Sequence, residues 1–101
     1  MLGKITVMKG LFLDGVLTSD TAITHDMKWA PQPLSVWVNP VAGDTITVSY
    51  SLDNGATYTA WSLGAITSAS TDKSLVFYSG ITHLRFQRTA GTGVTSTYGV
   101  C

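Results

Sequence analysis

His25 and Asp26 are the nearest thing in the chain to an acid–base pair. An imidazole steadied by a carboxylate can move a proton near neutral pH, which is the chemistry such a pair would offer. The two are neighbours in an extended-looking segment, however, and neighbouring strand residues face opposite sides, so neither can readily orient the other. The chain has no glutamate, and most of its aspartates, such as Asp14, Asp20, Asp44, Asp53 and Asp72, stand beside Gly, Ser, Thr or Asn and read as turn formers. Lack of Glu also excludes an EF-hand, whose twelfth position needs one. Serines are plentiful, yet no Gly-x-Ser-x-Gly elbow singles one out as a nucleophile. Gly91-Thr92-Gly93 has the look of part of a phosphate loop, but no helix follows to supply its dipole, and a turn is the simpler expectation. Cys101 is the sole cysteine, so neither an internal disulfide nor the usual thiolate zinc site can form. The expectation is a non-enzyme with no catalytic residue, cofactor or metal.

The sharpest local motif is Ser51-Leu52-Asp53-Asn54-Gly55-Ala56-Thr57-Tyr58. Asn-Gly at the centre of a four-residue turn signals a hairpin, because both positions accept positive φ. A carboxylate two residues after a serine can bind the N–H groups that such a turn leaves over. Over these eight residues the chain resembles the Asp-box pattern, Ser-x-Asp-x-Gly-x-Thr-aromatic. The resemblance implies a structural turn built on Ser51, Asp53, Gly55, Thr57 and Tyr58, with no catalytic role. Propellers of the sialidase kind carry several such boxes, whereas this chain has one and is too short for a propeller.

Aromatic residues off the core face say more about function. Trp37 falls opposite Leu34, Val36 and Val38, and Trp29 lies in the loop Trp29-Ala30-Pro31-Gln32-Pro33, where core placement is hard to arrange. Arg85 alternates with Leu84 and Phe86 and so also faces outward. Trp and Arg are common anchors of protein interfaces, and Trp29, Trp37 and Arg85 are the candidate interface residues.

Composition points the same way. Hydrophobic residues supply 45% of the chain, enough for one core, while charged residues supply only 12% and the formal net charge is zero. The charged share is half the usual value of about 25%. A small domain standing alone generally carries a net charge of about 2 to 8, so part of this surface is expected to be covered. Neutrality also removes the basic footprint of a nucleic-acid binder, and no apolar run is long enough for a membrane helix. No signal peptide is recognisable at Met1 to Val7, and synthesis in a cytoplasm is expected.

Val, Ile, Thr, Tyr, Phe and Trp dominate, which favours strands. Asp44 to Leu52 alternates cleanly, with Ile46, Val48, Tyr50 and Leu52 on the inner face and Thr45, Thr47, Ser49 and Ser51 on the outer. Leu34 to Val38 precedes it across Asn39-Pro40-Val41-Ala42-Gly43, and the two strands read as a hairpin. Further strands are expected at Lys4 to Met8, Leu11 to Leu17, Thr21 to Met27, Tyr58 to Trp61, Lys73 to Tyr78, Thr82 to Thr89 and Val94 to Val100. Seven to nine short strands make an all-β fold, a single-domain antiparallel β-sandwich or barrel of jelly-roll type over residues 1–101.

In size, in Thr/Ser/Gly-rich strands, in scarcity of charge and in the ending Leu84-Arg85-Phe86-Gln87-Arg88-Thr89-Ala90-Gly91-Thr92-Gly93-Val94-Thr95-Ser96-Thr97-Tyr98-Gly99-Val100-Cys101, the chain resembles small bacteriophage virion proteins, most of all capsid decoration or cement proteins. The resemblance implies a structural virion component that binds the major capsid protein or other virion subunits as a homo-oligomer, a dimer or trimer. It implies no direct nucleic-acid or membrane contact. A tail, baseplate or head-fibre subunit is the first alternative. A carbohydrate-binding adhesion module using Trp29, Trp37 or Trp61 is the second.

Overall fold

A computed structural model describes residues 13–30, 33–60, 65–70, 73–77 and 80–100. Their strands are β1 (Leu13–Leu17), β2 (Ile23–Asp26), β3 (Leu34–Asn39), β4 (Thr45–Ser51), β5 (Thr59–Ala60), β6 (Ile66–Thr67), β7 (Ser74–Phe77), β8 (His83–Ala90) and β9 (Ser96–Val100). The expected strand at Lys4 to Met8 lies outside the described residues.

Two antiparallel sheets form. The first has the order β1-β9-β3-β7, and the second runs β2-β8-β4 with the short β5 and β6 both paired to β4. No strand belongs to both sheets, which makes the fold a sandwich. The chain changes sheet at every connection except those joining β4, β5 and β6.

That crossing habit corrects one expectation. β3 and β4 are not a hairpin, because β3 pairs with β7 and β9 whereas β4 pairs with β8. The connection at 40–44 is instead tied to Ser96 of β9, the neighbour of β3 in the first sheet, as it crosses to the second. Pro40 has no N–H to continue a ladder, the Val41 N–H donates to Ser96 Oγ, and the Ser96 hydroxyl donates to the Asp44 carboxylate at 2.8 Å. β7 and β8, consecutive in the chain, also lie in different sheets.

The core follows from alternation. Leu17 from β1, Leu34, Val36 and Val38 from β3, and Tyr98 and Val100 from β9 meet Ile46 and Val48 from β4 and Leu84 and Phe86 from β8. Phe86 and Tyr98 stack with centroids 4.0 Å apart and planes 14° apart, binding one sheet to the other. Gly15 is opposite Tyr98 in the β1-β9 register, and a Cβ there would lie 2.6 Å from Tyr98 Cζ. Thus the Asp14-Gly15 dipeptide, which reads as a turn, sits inside a strand: the missing side chain makes room for a tyrosine ring.

β4 departs from its expected alternation at its end. Leu52 is exposed, not inward, while Ser49 and Ser51 keep the outer face, opposite Arg85 and His83, and are covered there by neighbouring chain. The cause is the turn that follows. Ser51 Oγ accepts from the backbone N–H groups of Asp53 and Gly55, so the serine turns under the loop and Leu52 turns out. Strand β6 was not legible, since two residues are too few to display a period.

Candidate functional site

Most titratable side chains in the described residues are engaged in holding the fold. Asp53 accepts from Thr57 Oγ1–H at 2.5 Å, from Thr57 N–H at 2.9 Å and from Ser51 Oγ–H at 2.7 Å. These bonds, the Thr57 hydroxyl first, hold its carboxyl down at about 2. Asn54 and Gly55 both take positive φ, 66° and 86°, as their positions in the turn require. Tyr58 carries the Arg85 guanidinium over its ring at 4.3 Å. Ser51, Asp53, Gly55, Thr57, Tyr58 and Arg85 therefore form one local assembly at the β4-β5 end of the second sheet.

Asp44 is buried and accepts from the Gly93 N–H at 2.9 Å and from Ser96 Oγ–H. The Gly93 bond is the main cause of its lowered pKa. The Gly91-Thr92-Gly93 segment does cradle an anion, and that anion is the protein's own carboxylate. Arg88, 8% exposed, donates Nε–H to Asp20 at 2.7 Å and Nη1–H to the Gly93 carbonyl, closing the same end of the sandwich.

His25 and Asp26 face opposite ways, as neighbours on a strand must. His25 points inward, where its Nε2 shares a 2.7 Å hydrogen bond with the Tyr98 hydroxyl, and burial lowers the imidazole pKa. Burial, with the Asp14 charge second, raises that of Tyr98. Asp26 points outward, accepting from the Lys28 N–H at 2.9 Å, with Lys28 Nζ 3.6 Å away. The Lys28 N–H is the first cause of the lowered Asp26 pKa.

The candidate interface residues do not share one surface. Trp29, 58% exposed, follows β2 in a short turn; Arg85 is on the outer face of the second sheet; Trp37 is on the outer face of the first. Trp61, Asp72 and Cys101 lie outside the described residues.

What the fold assembles around Trp37 was not legible beforehand. Its indole lies on Gly99, where a Cβ would come 2.5 Å from Trp37 Nε1. Beside it Val16 and Val76 are exposed on the same outer face, at 46% and 42%. A hollow of about 210 Å³ opens there, lined by Asp14, Gly15, Val16, Trp37, Thr97 and Tyr98. The strand expected over Leu11 to Leu17 forms as Leu13–Leu17, and its alternation turns Asp14 and Val16 outward. Their convergence with Trp37 depends on β9 lying between β1 and β3, which no local pattern encodes. Compared with known proteins, the chain matches no family model, no curated protein and no solved structure.

Proposed function

We propose that the chain is a non-enzymatic structural module that docks on other protein subunits, in the manner of a capsid decoration protein binding the major capsid protein lattice of a bacteriophage head. The observation that carries the reading is the outer face of the β1-β9-β3-β7 sheet, where Val16 and Val76 stand exposed on either side of Trp37. Exposed β-branched residues grouped with an indole on a charge-poor sheet lose unfavourable hydration when a second surface covers them. Engagement of Asp20, Asp26, Asp44, Asp53 and His25 in structural bonds fits the same reading, since these side chains serve the scaffold. The placement on a virion rests on the resemblance in size, charge and strand composition described above.

Deleting the gene tests the proposal. Particles assembled without the chain should lose heat resistance and regain it when the purified chain is added back. Particles equally heat-resistant with and without it would refute a decorating role.

A further inference from the structure

Asp14 is the one described aspartate with no hydrogen bond or ion pair among the described residues. Asp20 holds Arg88, Asp26 holds Lys28, Asp44 holds Gly93 and Ser96, and Asp53 holds Ser51 and Thr57. Asp14 is exposed on the edge strand β1, and β1-β9 register sets it opposite Gly99, the residue on which the Trp37 indole rests. Asp14, Trp37 and Thr97 all line one hollow of about 210 Å³.

We propose that this hollow receives the guanidinium group of an arginine side chain carried by the subunit on which the chain docks. This rests on the docking reading and deepens it by naming what the partner must present. An unpaired carboxylate next to a π face attracts a cation twice, by charge and through the ring quadrupole. Guanidinium suits the pair better than ammonium, because it is flat enough to stack on the indole while its edge donates N–H groups to the carboxylate. The chain already uses that stacking elsewhere, where Arg85 lies over Tyr58 at 4.3 Å. Size agrees: the hollow is smaller than the roughly 300–1,000 Å³ of drug-sized ligand pockets, and a single side-chain head is the object it would enclose. A neutral sugar would stack on Trp37 as well, but would leave the full charge of Asp14 uncompensated.

Titration of the 15N-labelled chain with Nα-acetyl-arginine amide tests this, read on the Trp37 indole N–H and the amides of Asp14, Val16 and Thr97. Saturable shifts confined to those signals are expected. They should weaken about tenfold with the neutral isostere Nα-acetyl-citrulline amide, weaken similarly in Asp14→Asn, and fade as salt is raised. Asp14 is exposed, so Asp14→Asn should fold, and an unchanged near-UV circular dichroism spectrum checks that. Citrulline amide binding as well as arginine amide, an unaltered response in Asp14→Asn, or shifts with methyl glucoside and none with arginine amide would each overturn the proposal. The last outcome would favour a saccharide site. The docking reading fails separately, if the wild-type chain does not bind particles while arginine amide still shifts these signals.

Discussion

Two glycines face tryptophan and tyrosine rings at nearly the same close distance, and the fold should treat substitution at them very differently. In Gly15→Ala the new Cβ would sit 2.4 Å from the Tyr98 hydroxyl oxygen and 2.6 Å from Cζ, against the 3.4 Å at which ordinary contact begins, so the side chain must retreat about 1 Å. Tyr98 has nowhere to go. It is 1% exposed, stacked on Phe86 at 4.0 Å and hydrogen-bonded to His25 at 2.7 Å. Overpacking of this kind costs about 1–3 kcal/mol, and stretching the His25 bond adds about 1 kcal/mol. Replacing a strand glycine returns about 0.5–1 kcal/mol. The net is about 2 kcal/mol, a fall of about 8–16 °C in Tm for a domain of this size. Gly99→Ala meets Trp37 at 2.5 Å, yet Trp37 is on an outer face and can swing into solvent. Its cost should stay below about 1 kcal/mol, while the Trp37 indole N–H signal moves to a solvent-exposed shift. Thermal unfolding followed by near-UV circular dichroism, with one indole spectrum of each variant, decides it. Equal losses in the two variants, or an unmoved Trp37 signal in Gly99→Ala, would refute the division into a rigid inner ring and a yielding outer one.

Other consequences can be checked with the same samples. Phe86→Ala removes the ring that joins the two sheets and should cost about 3–5 kcal/mol in urea unfolding; a loss below about 1 kcal/mol would deny that stack its role. The Asp53 carboxyl titrates at about 2 in the fold against 3.8 unfolded, so its contribution is present above about pH 4 and drains as pH falls toward 2. Asp53→Asn should flatten that acid limb of the urea midpoint, and a limb of unchanged depth would count against the turn. The His25 pKa is lowered from 6.5, which means the unfolded chain takes up the proton first and stability falls as pH drops below about 6.5. An NMR titration should place the His25 midpoint below 6.5, and a midpoint at or above that value would contradict its burial.

Much of the scaffold could be read from the residues alone, because period-two alternation is a direct imprint of a sheet with one buried face. Ile46 and Val48, Leu84 and Phe86, and Leu34, Val36 and Val38 all face inward as their spacing demands. What misled were places where a contact distant in sequence overrode a local signal. Pro40 and Gly43 look like hairpin punctuation, but Val41 and Asp44 are tied to Ser96 of β9 in the first sheet, more than fifty residues away, while the strand that follows pairs with β8 in the second. Asp14 beside Gly15 looks like a turn former, but the expected strand runs through both and the glycine is room for Tyr98. Leu52 continues an apolar series and is thrown outward by the Ser51 and Asp53 bonds. The surface around Trp37 was half legible for the same reason: alternation exposes the indole, whereas only strand order brings Asp14 and Val16 to it.

The proposal that the outer face of the β1-β9-β3-β7 sheet is a docking surface meets its most direct test in cosedimentation of the purified chain with shells of the capsid protein it is proposed to decorate. Val76→Lys puts a charge on that face at a position 42% exposed, without touching the core or lining the hollow. Wild-type chain should pellet with the shells while folded Val76→Lys stays in the supernatant. Equal pelleting of the two, with Trp29→Ala remaining behind instead, would move the contact to the β2 turn and contradict this account.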